Sequence, residues 1–452
     1  MIPRTTRSPA TGVTRRTLLQ GVAGSAFLAA ACSGKASPEP VGARPAKLPP
    51  ASLQLWTIWG GTRVPLMEEQ ARRFTERNPG VTVEHVVLNG GERLDKILTA
   101  MAGGSPPDVP MIGRQEIPLL VEKVAGLVPI DAYMTRDRVS KSLFYEAEIG
   151  MCVYNGKTWA LPMPTAGTYG NVYYNRDWLT QQGLDPDKSP PRSWDQLEEL
   201  ARRLTVRDGP KIAKLGFPMD TLWTTFWHWQ SLNGGTFWSS DGRKITLDKA
   251  EDTLQWMVDF RNKINGGLSA LQGFPPGGGD PFYTGVQAQT VSGVWYWYYI
   301  KTQAPDLHAG VYLRPARNGE EPRYLSLEAW AYGVSKGSRS LEQAWALVQF
   351  LTTDKDGAGW FMQQQGRPAP VKEFNQAPEM RQISPYWDVL LKALEHSMAP
   401  ATFLPVHNEV VKAFSDQLAK LNQDQSTVRE TVANMRADAQ RIVDEFWASK
   451  GR

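Results

Sequence analysis

The chain predicts an α/β fold built on a mostly parallel sheet, repeated over two domains. Three observations carry this. Apolar periods of strand and helix type alternate from residue 53 to 112. A length of 452 residues exceeds what one hydrophobic core serves. A hydrophobic content of 41% with 21% charged residues is that of an ordinary globular chain, apart from 17 tryptophans.

Residues 1–31 read as an export leader. They hold a basic start (Arg4, Arg7, Arg15, Arg16), an apolar stretch from Leu18 to Ala31 and small residues before Cys32. The apolar stretch is too short for a bilayer core of about 30 Å. The pair Arg15-Arg16 resembles a twin-arginine (Tat) signal, which exports folded proteins. Leu28-Ala29-Ala30-Ala31-Cys32 resembles a lipoprotein box, with Ala29 where leucine is usual. Processing there makes Cys32 the lipid-bearing N-terminus and anchors the protein to the outer face of the cytoplasmic membrane. The alternative is a soluble secreted protein cleaved nearby. Residues 32–51, rich in Pro, Ala, Ser and Lys, read as a flexible tether.

Folding begins with a strand at Leu53–Trp59, broken by Gly60-Gly61. Pro65 opens a helix whose spacing runs through Leu66, Gln70, Ala71 and Phe74 until Asn78-Pro79-Gly80. A second strand spans Val81–Leu88, and Leu94, Ile97, Leu98 and Met101 mark a second helix ended by Gly103-Gly104-Ser105-Pro106-Pro107. A third strand follows at Asp108–Ile112. Ligands of such sheets bind beyond the carboxyl ends of the strands, here Trp59–Thr62 and Gly113–Glu116.

The leader distorts the apparent charge. Its four arginines account for the formal +4, and without them 46 basic residues face 46 acidic ones. A polyanion-binding surface, and with it a nucleic-acid partner, has no basis. With Cys32 carrying lipid, Cys152 has no disulfide partner, and its apolar run Ile149–Tyr154 marks a buried inert thiol.

Farther along come Thr158-Trp159-Ala160-Leu161-Pro162, Tyr173-Tyr174-Asn175-Arg176-Asp177, Gly183-Leu184-Asp185-Pro186 and Ser193-Trp194-Asp195-Gln196-Leu197. Trp229 to Gly235 with Asp241-Gly242, Gly285 to Trp295, and Tyr332 to Ser338 with Glu342 to Trp345 and Phe350-Leu351 continue the pattern. In this order and spacing the segments resemble the family 1 extracellular solute-binding proteins, the capture subunits of ABC importers for sugars. The resemblance implies a bilobal periplasmic-binding-protein type II fold, with two α/β lobes closing on ligand about a hinge crossed more than once. It places lobe one at 52–166 plus 303–365 and lobe two at 167–302 plus 366–452. It also implies a sugar ligand, the transmembrane permease subunits of the importer as partners, and a monomer.

Sugars suit aromatic platforms, because one pyranose face stacks on a ring while the hydroxyls need polar partners. By resemblance Trp295, the tryptophan of a G-x-W motif, stacks on the sugar, and the Trp59, Gly60, Gly61 loop contacts it. Arg114, Gln115 and Glu116 offer a fork donor, an amide and a carboxylate. Tyr169 and Asn171 enter the first crossing segment, Asp220, Trp223 and Thr224 precede a helix, and Glu328 and Trp330 lie in an apolar strand. Phe226, Trp227, Trp297 and Tyr299 read as core. The helix in 404–411 lacks the aromatic that stacks on a second ring in maltose-type members, which weakens maltose as the ligand.

An enzyme reading fails on context. Gly333-Val334-Ser335-Lys336-Gly337 fits G-x-S-x-G, but Ser340 with Gln343 is expected to form a capping box that starts the helix five residues after the serine. Five scattered histidines give zinc no support, no cofactor is expected, and Phe282–Ile300 holds no carboxylate for glycoside hydrolysis. The sequence therefore reads as a sugar receptor of an ABC importer. The alternatives are a receptor for a glycerophosphodiester, polyamine or peptide, a carbohydrate-active enzyme, and a ligand-sensing partner of a membrane receptor.

Overall fold

The computed structural model describes residues 41–163, 168–271, 274–275 and 279–451. The leader, Cys32 and the first part of the tether lie outside them. Eight strands position the site: β1 (Ala51–Thr57), β2 (Val81–Val87), β3 (Val109–Gly113), β4 (Ala160–Pro162), β5 (Asn171–Asn175), β6 (Gln289–Ser292), β7 (Ala309–Leu313) and β8 (Trp330–Gly333).

The first sheet has the order β2-β1-β3-β8-β4. β1 is parallel to β2 and β3, with Leu53 opposite Val83 and Leu55 opposite Val109. Helices Val64–Arg77 and Arg93–Ala102 make the two connections, as the alternating periods predict. β8 alone runs antiparallel to its neighbours β3 and β4. It enters from the other sheet rather than through a helical crossover, so nothing forces it parallel. β3 is buried at all five positions because it lies inside the sheet, which explains its unbroken apolar run.

Helix Val64–Arg77 begins with Pro65 in its first turn and buries Met67, Gln70 and Phe74. The expected partners Leu66 and Ala71 are only half-buried, so the buried stripe is rotated toward Met67. Gln70 is tolerated inside because its Nε2 donates to the Gly357 carbonyl at 3.0 Å. Asn78 closes the helix by donating from Nδ2 to the Phe74 carbonyl at 2.9 Å.

The second sheet, β6-β5-β7, is antiparallel throughout. β7 pairs with β5 from Ala309↔Asn175 to Leu313↔Asn171, so residues 309–313 belong to this sheet although the sequence reading put 303–365 with the first. The chain thus passes from first sheet to second between β4 and β5, and back between β7 and β8. Most tryptophans fill cores: Trp194, Trp227, Trp229, Trp345 and Trp387 are all under 2% or at 2% exposure. Trp194 stacks on Trp256 at 3.9 Å between centroids.

The G-x-S-x-G run lies at 333–337, after β8 begins. Ser335 is fully buried, and its carbonyl accepts the Ser338 N–H at 3.1 Å across a turn. The following helix does start at Leu341, but Ser340 makes no side-chain cap. Its N–H instead donates to Ser338 Oγ at 3.0 Å, and Gln343 Nε2 donates to the Pro49 carbonyl at 2.9 Å, so the expected capping box is not formed. Cys152 is buried, and burial pushes its thiol up to about 12. Among the described residues no helix is long and apolar enough to cross a membrane.

Candidate functional site

Parallel strands β1 and β3 end at Thr57 and Gly113, and the residues just beyond them enter a cavity of about 490 Å³. Ile58, Trp59 and Arg63 come from the loop after β1, and Gln115 from the turn after β3. Trp295 and Tyr299, at the start and in the middle of a helical segment, line it together with Tyr169 from the β4–β5 connection. Glu328, Ala329 and Trp330 lead into β8, and Arg367 follows the helix Trp360–Gln365. A smaller cavity of about 190 Å³ shares Tyr169 and Glu328 and adds Asp220, Thr224, His228 and Arg314, so the two are lobes of one cleft.

The aromatic geometry is specific. Tyr169 meets Trp295 edge-on, with centroids 4.5 Å apart and planes at 90°. Trp295 can fold back over the chain because residue 293 is glycine: a Cβ there would fall 2.2 Å from the Trp295 ring. Across the cavity Trp59 is held by stacking on Phe361, 4.9 Å and 8°, and Trp330 lies under the Arg93 guanidinium at 4.9 Å.

Of the residues picked from sequence, the cleft gathers Trp59, Gln115, Tyr169, Asp220, Thr224, Trp295, Glu328 and Trp330. Six others lie outside its lining. Arg114 turns into the core, where it is fully buried in an ion pair with Glu148 at 2.7 Å and donates to the Trp330 carbonyl at 2.8 Å. Glu116 is buried against Arg93 at 2.5 Å and accepts the Gly113 N–H at 2.8 Å, so it braces the turn that presents Gln115. Gly60 and Gly61 form a plain turn in which Gly61 adopts φ +58. Asn171 is buried in β5, the middle strand of its sheet. Trp223 packs on Phe237 and Phe414 with centroids 5.4 and 5.5 Å away.

Sequence reasoning missed Arg63, His228, Arg314 and Arg367, and it placed Tyr299 in the core. Arg63 was nearly found, one residue beyond the Trp59–Thr62 strand end. Nothing local distinguishes Arg367. Phe226, Trp227 and Trp297 are buried as core aromatics, although Trp227 also lines the smaller cavity.

Burial sets the charge states. It raises Glu328 above the usual carboxylate range; the Trp223 indole pulls it back down, while Glu116 adds to the rise. Burial likewise raises Asp220. His228 is held well below its ordinary value by burial and then by Arg314, so the ring is neutral. Burial lowers Arg314 to about 9, still charged at neutral pH. The cleft therefore offers stacking faces, an amide, carboxylates with raised affinity for a proton, and guanidinium donors. Among the described residues no group of three His, Cys, Asp or Glu is arranged to hold a metal ion. A larger groove of about 720 Å³ contains none of the sequence-picked residues.

Residues 60–358 match the family described as bacterial extracellular solute-binding protein. A Brucella abortus (strain 2308) protein designated a binding protein is 26% identical over 312 residues, covering 67% of this chain and 72% of its own. An Escherichia coli (strain K12) protein designated an ABC transporter periplasmic-binding protein is 22% identical over 310 residues, covering 67% and 68%. Among solved structures, CpMnBP1 with mannotriose bound superposes with TM-score 0.73 at 23% identity, over 86% of this chain and 99% of the other. The maltose/maltodextrin-binding domain from Bdellovibrio bacteriovorus, bound to maltotriose, gives TM-score 0.69 at 18% identity, over 87% and 100%. Those structures carry the same bilobal fold. With two sheets linked by crossing segments, a cleft at their strand ends and a family match over most of its length, this chain belongs to the bacterial extracellular solute-binding proteins.

Proposed function

We propose that the protein is the sugar-binding receptor of an ABC importer. It binds its solute in the cleft and delivers it to a membrane permease rather than transforming it. The observation that carries this reading is the meeting of Trp59, Tyr169, Trp295 and Trp330 around one cavity with polar side chains between them. Stacking faces with hydrogen-bonding groups at their edges are the chemistry a pyranose needs. The sugars named for CpMnBP1 and the Bdellovibrio domain point the same way.

In this reading the lobes comprise 52–166 plus 303–365 and 167–302 plus 366–452, with strand 309–313 carried by the second lobe. Ligand binds the closed arrangement better than the open one, and that difference in affinity shifts the population toward closure. The closed pair of lobes is the surface offered to the permease. Export through the Tat route and a lipid on Cys32 keep a monomeric receptor beside its permease.

A thermal-shift screen over mono- to tetrasaccharides, with hits measured by calorimetry, tests the ligand class. A saturable one-to-one hit supports it. Silence across every sugar, with a response to a peptide or polyamine, overturns it.

A further inference from the structure

The cavity lined by Trp59 and Trp295 holds two guanidinium groups without carboxylate partners among the described residues, and Arg314 in the adjoining cavity is a third. Arg63, after the β1 turn, donates from Nη2 to the Tyr299 hydroxyl and from Nε to Gln365 Oε1 at 3.4 Å. Its guanidinium carbon lies 5.4 Å from the Trp59 ring and 5.5 Å from the Tyr299 ring. Arg367 is 4% exposed, and its guanidinium lies 5.1 and 5.4 Å from the rings of Tyr298 and Tyr299. Its Nε and Nη2 are buried with no hydrogen-bond partner among the described residues. Neither arginine forms an ion pair with any described Asp or Glu; of the other buried arginines, Arg93, Arg114 and Arg261 are paired with carboxylates, and Arg314 in the adjoining cavity is not.

Arg367 is delivered here by Gly366, which ends the helix Trp360–Gln365 in the left-handed region at φ +58. Two like charges are thereby placed against one ring, that of Tyr299. The effect is visible on Arg367 and on the Tyr299 phenol. Burial, and then Arg63, lower Arg367 to about 10. Burial pushes the Tyr299 phenol up, but Arg63 and Arg367 outweigh it and draw the phenol below its ordinary value. A buried cation with unpaired donors is expensive, and a planar fork is best satisfied by an oxyanion. Glu328 lines the same cavity but forms no ion pair with either arginine; the Trp223 indole bonds it.

We infer that the solute is a sugar bearing an anionic group, a carboxylate, sulfate or phosphate, held between Arg63 and Arg367. The aromatic side of the cavity takes the ring and the arginine side takes the charge. This rests on the cleft being the sugar site.

The test measures affinity by calorimetry for matched sets: glucose and galactose against their uronates, 6-sulfates and 6-phosphates, then the corresponding disaccharides. At least one acidic member should bind more than about tenfold tighter than its neutral parent, the scale of a charge-assisted pair. The preference should weaken with added salt. Arg63→Gln and Arg367→Gln should each reduce affinity for that member at least about tenfold more than for its parent, whereas Trp295→Ala should weaken both. Arg63 is half-buried at a turn, so its variant decides the matter even where Arg367→Gln does not fold. Neutral parents binding as tightly as every acidic form, with no selective loss in Arg63→Gln, overturn the anionic subsite and leave the sugar receptor standing. Binding of inorganic sulfate or phosphate alone, with no response to any sugar, overturns the receptor reading itself.

Discussion

Tyr169 and Trp295 meet edge to face at 4.5 Å, one from the segment that leaves the first sheet and the other from the helix start beside the second. The pair ties a crossing segment to the ring expected to stack on the solute. The same Trp295 ring lies 2.2 Å from where a Cβ on residue 293 would fall, so glycine occupies that position.

Trp295→Ala removes the stacking face and should lower sugar affinity about tenfold or more. Gly293→Ala places a Cβ 2.2 Å from the same ring and should produce a similar loss by displacing it. The double variant should then lose little beyond either single one, because both act on one ring. Calorimetry decides; retention of affinity within twofold in Trp295→Ala would falsify the assignment.

Arg114 and Glu148 form a fully buried ion pair. Arg114→Met removes the cation of a buried ion pair, and urea unfolding should show a loss of about 3–5 kcal/mol. The folded fraction should bind ligand normally. A variant that is fully stable but binds poorly would return Arg114 to the cleft.

His407 is buried, and burial drives it down to about 3. In the unfolded chain it titrates near 6.5. Its folded value being depressed, the unfolded state takes up the extra proton as pH falls. Stability is therefore complete above about 6.5 and declines as pH drops toward about 3. His228, also held neutral by burial, adds to the same slope. Urea midpoints at pH 7.5, 6 and 5 should fall more steeply for the native sequence than for His407→Gln. Parallel declines would mean that His407 does not contribute.

Cys32 as a lipid site is tested by mass spectrometry of the membrane fraction. A diacylglycerol-modified N-terminal Cys32 peptide is expected. A soluble protein beginning beyond Cys32 would point to simple secretion.

The first five elements were legible residue by residue, because each is governed by local period and local breakers. β1 to β3 and their two helices begin and end within two residues of the expected bounds. β8 and β7 were less so: pairing direction and sheet membership depend on partners far away in sequence.

For the cleft, the sequence by itself determined the family, the α/β class and the strand-end loops, since turns and strand ends leave local marks. It also singled out Trp295, through its place in the G-x-W motif of the resembled family; that Gly293 lies beneath its ring came from the structure. Only the tertiary structure decided which polar side chains face the cavity. Arg114, Gln115 and Glu116 are consecutive, yet one is paired in the core, one lines the cleft and one braces the turn. Arg63 and Arg367, 304 positions apart by their numbers, converge on Tyr299. A side chain's direction and its counter-charge are set by what packs against it, and that information is spread over the whole chain.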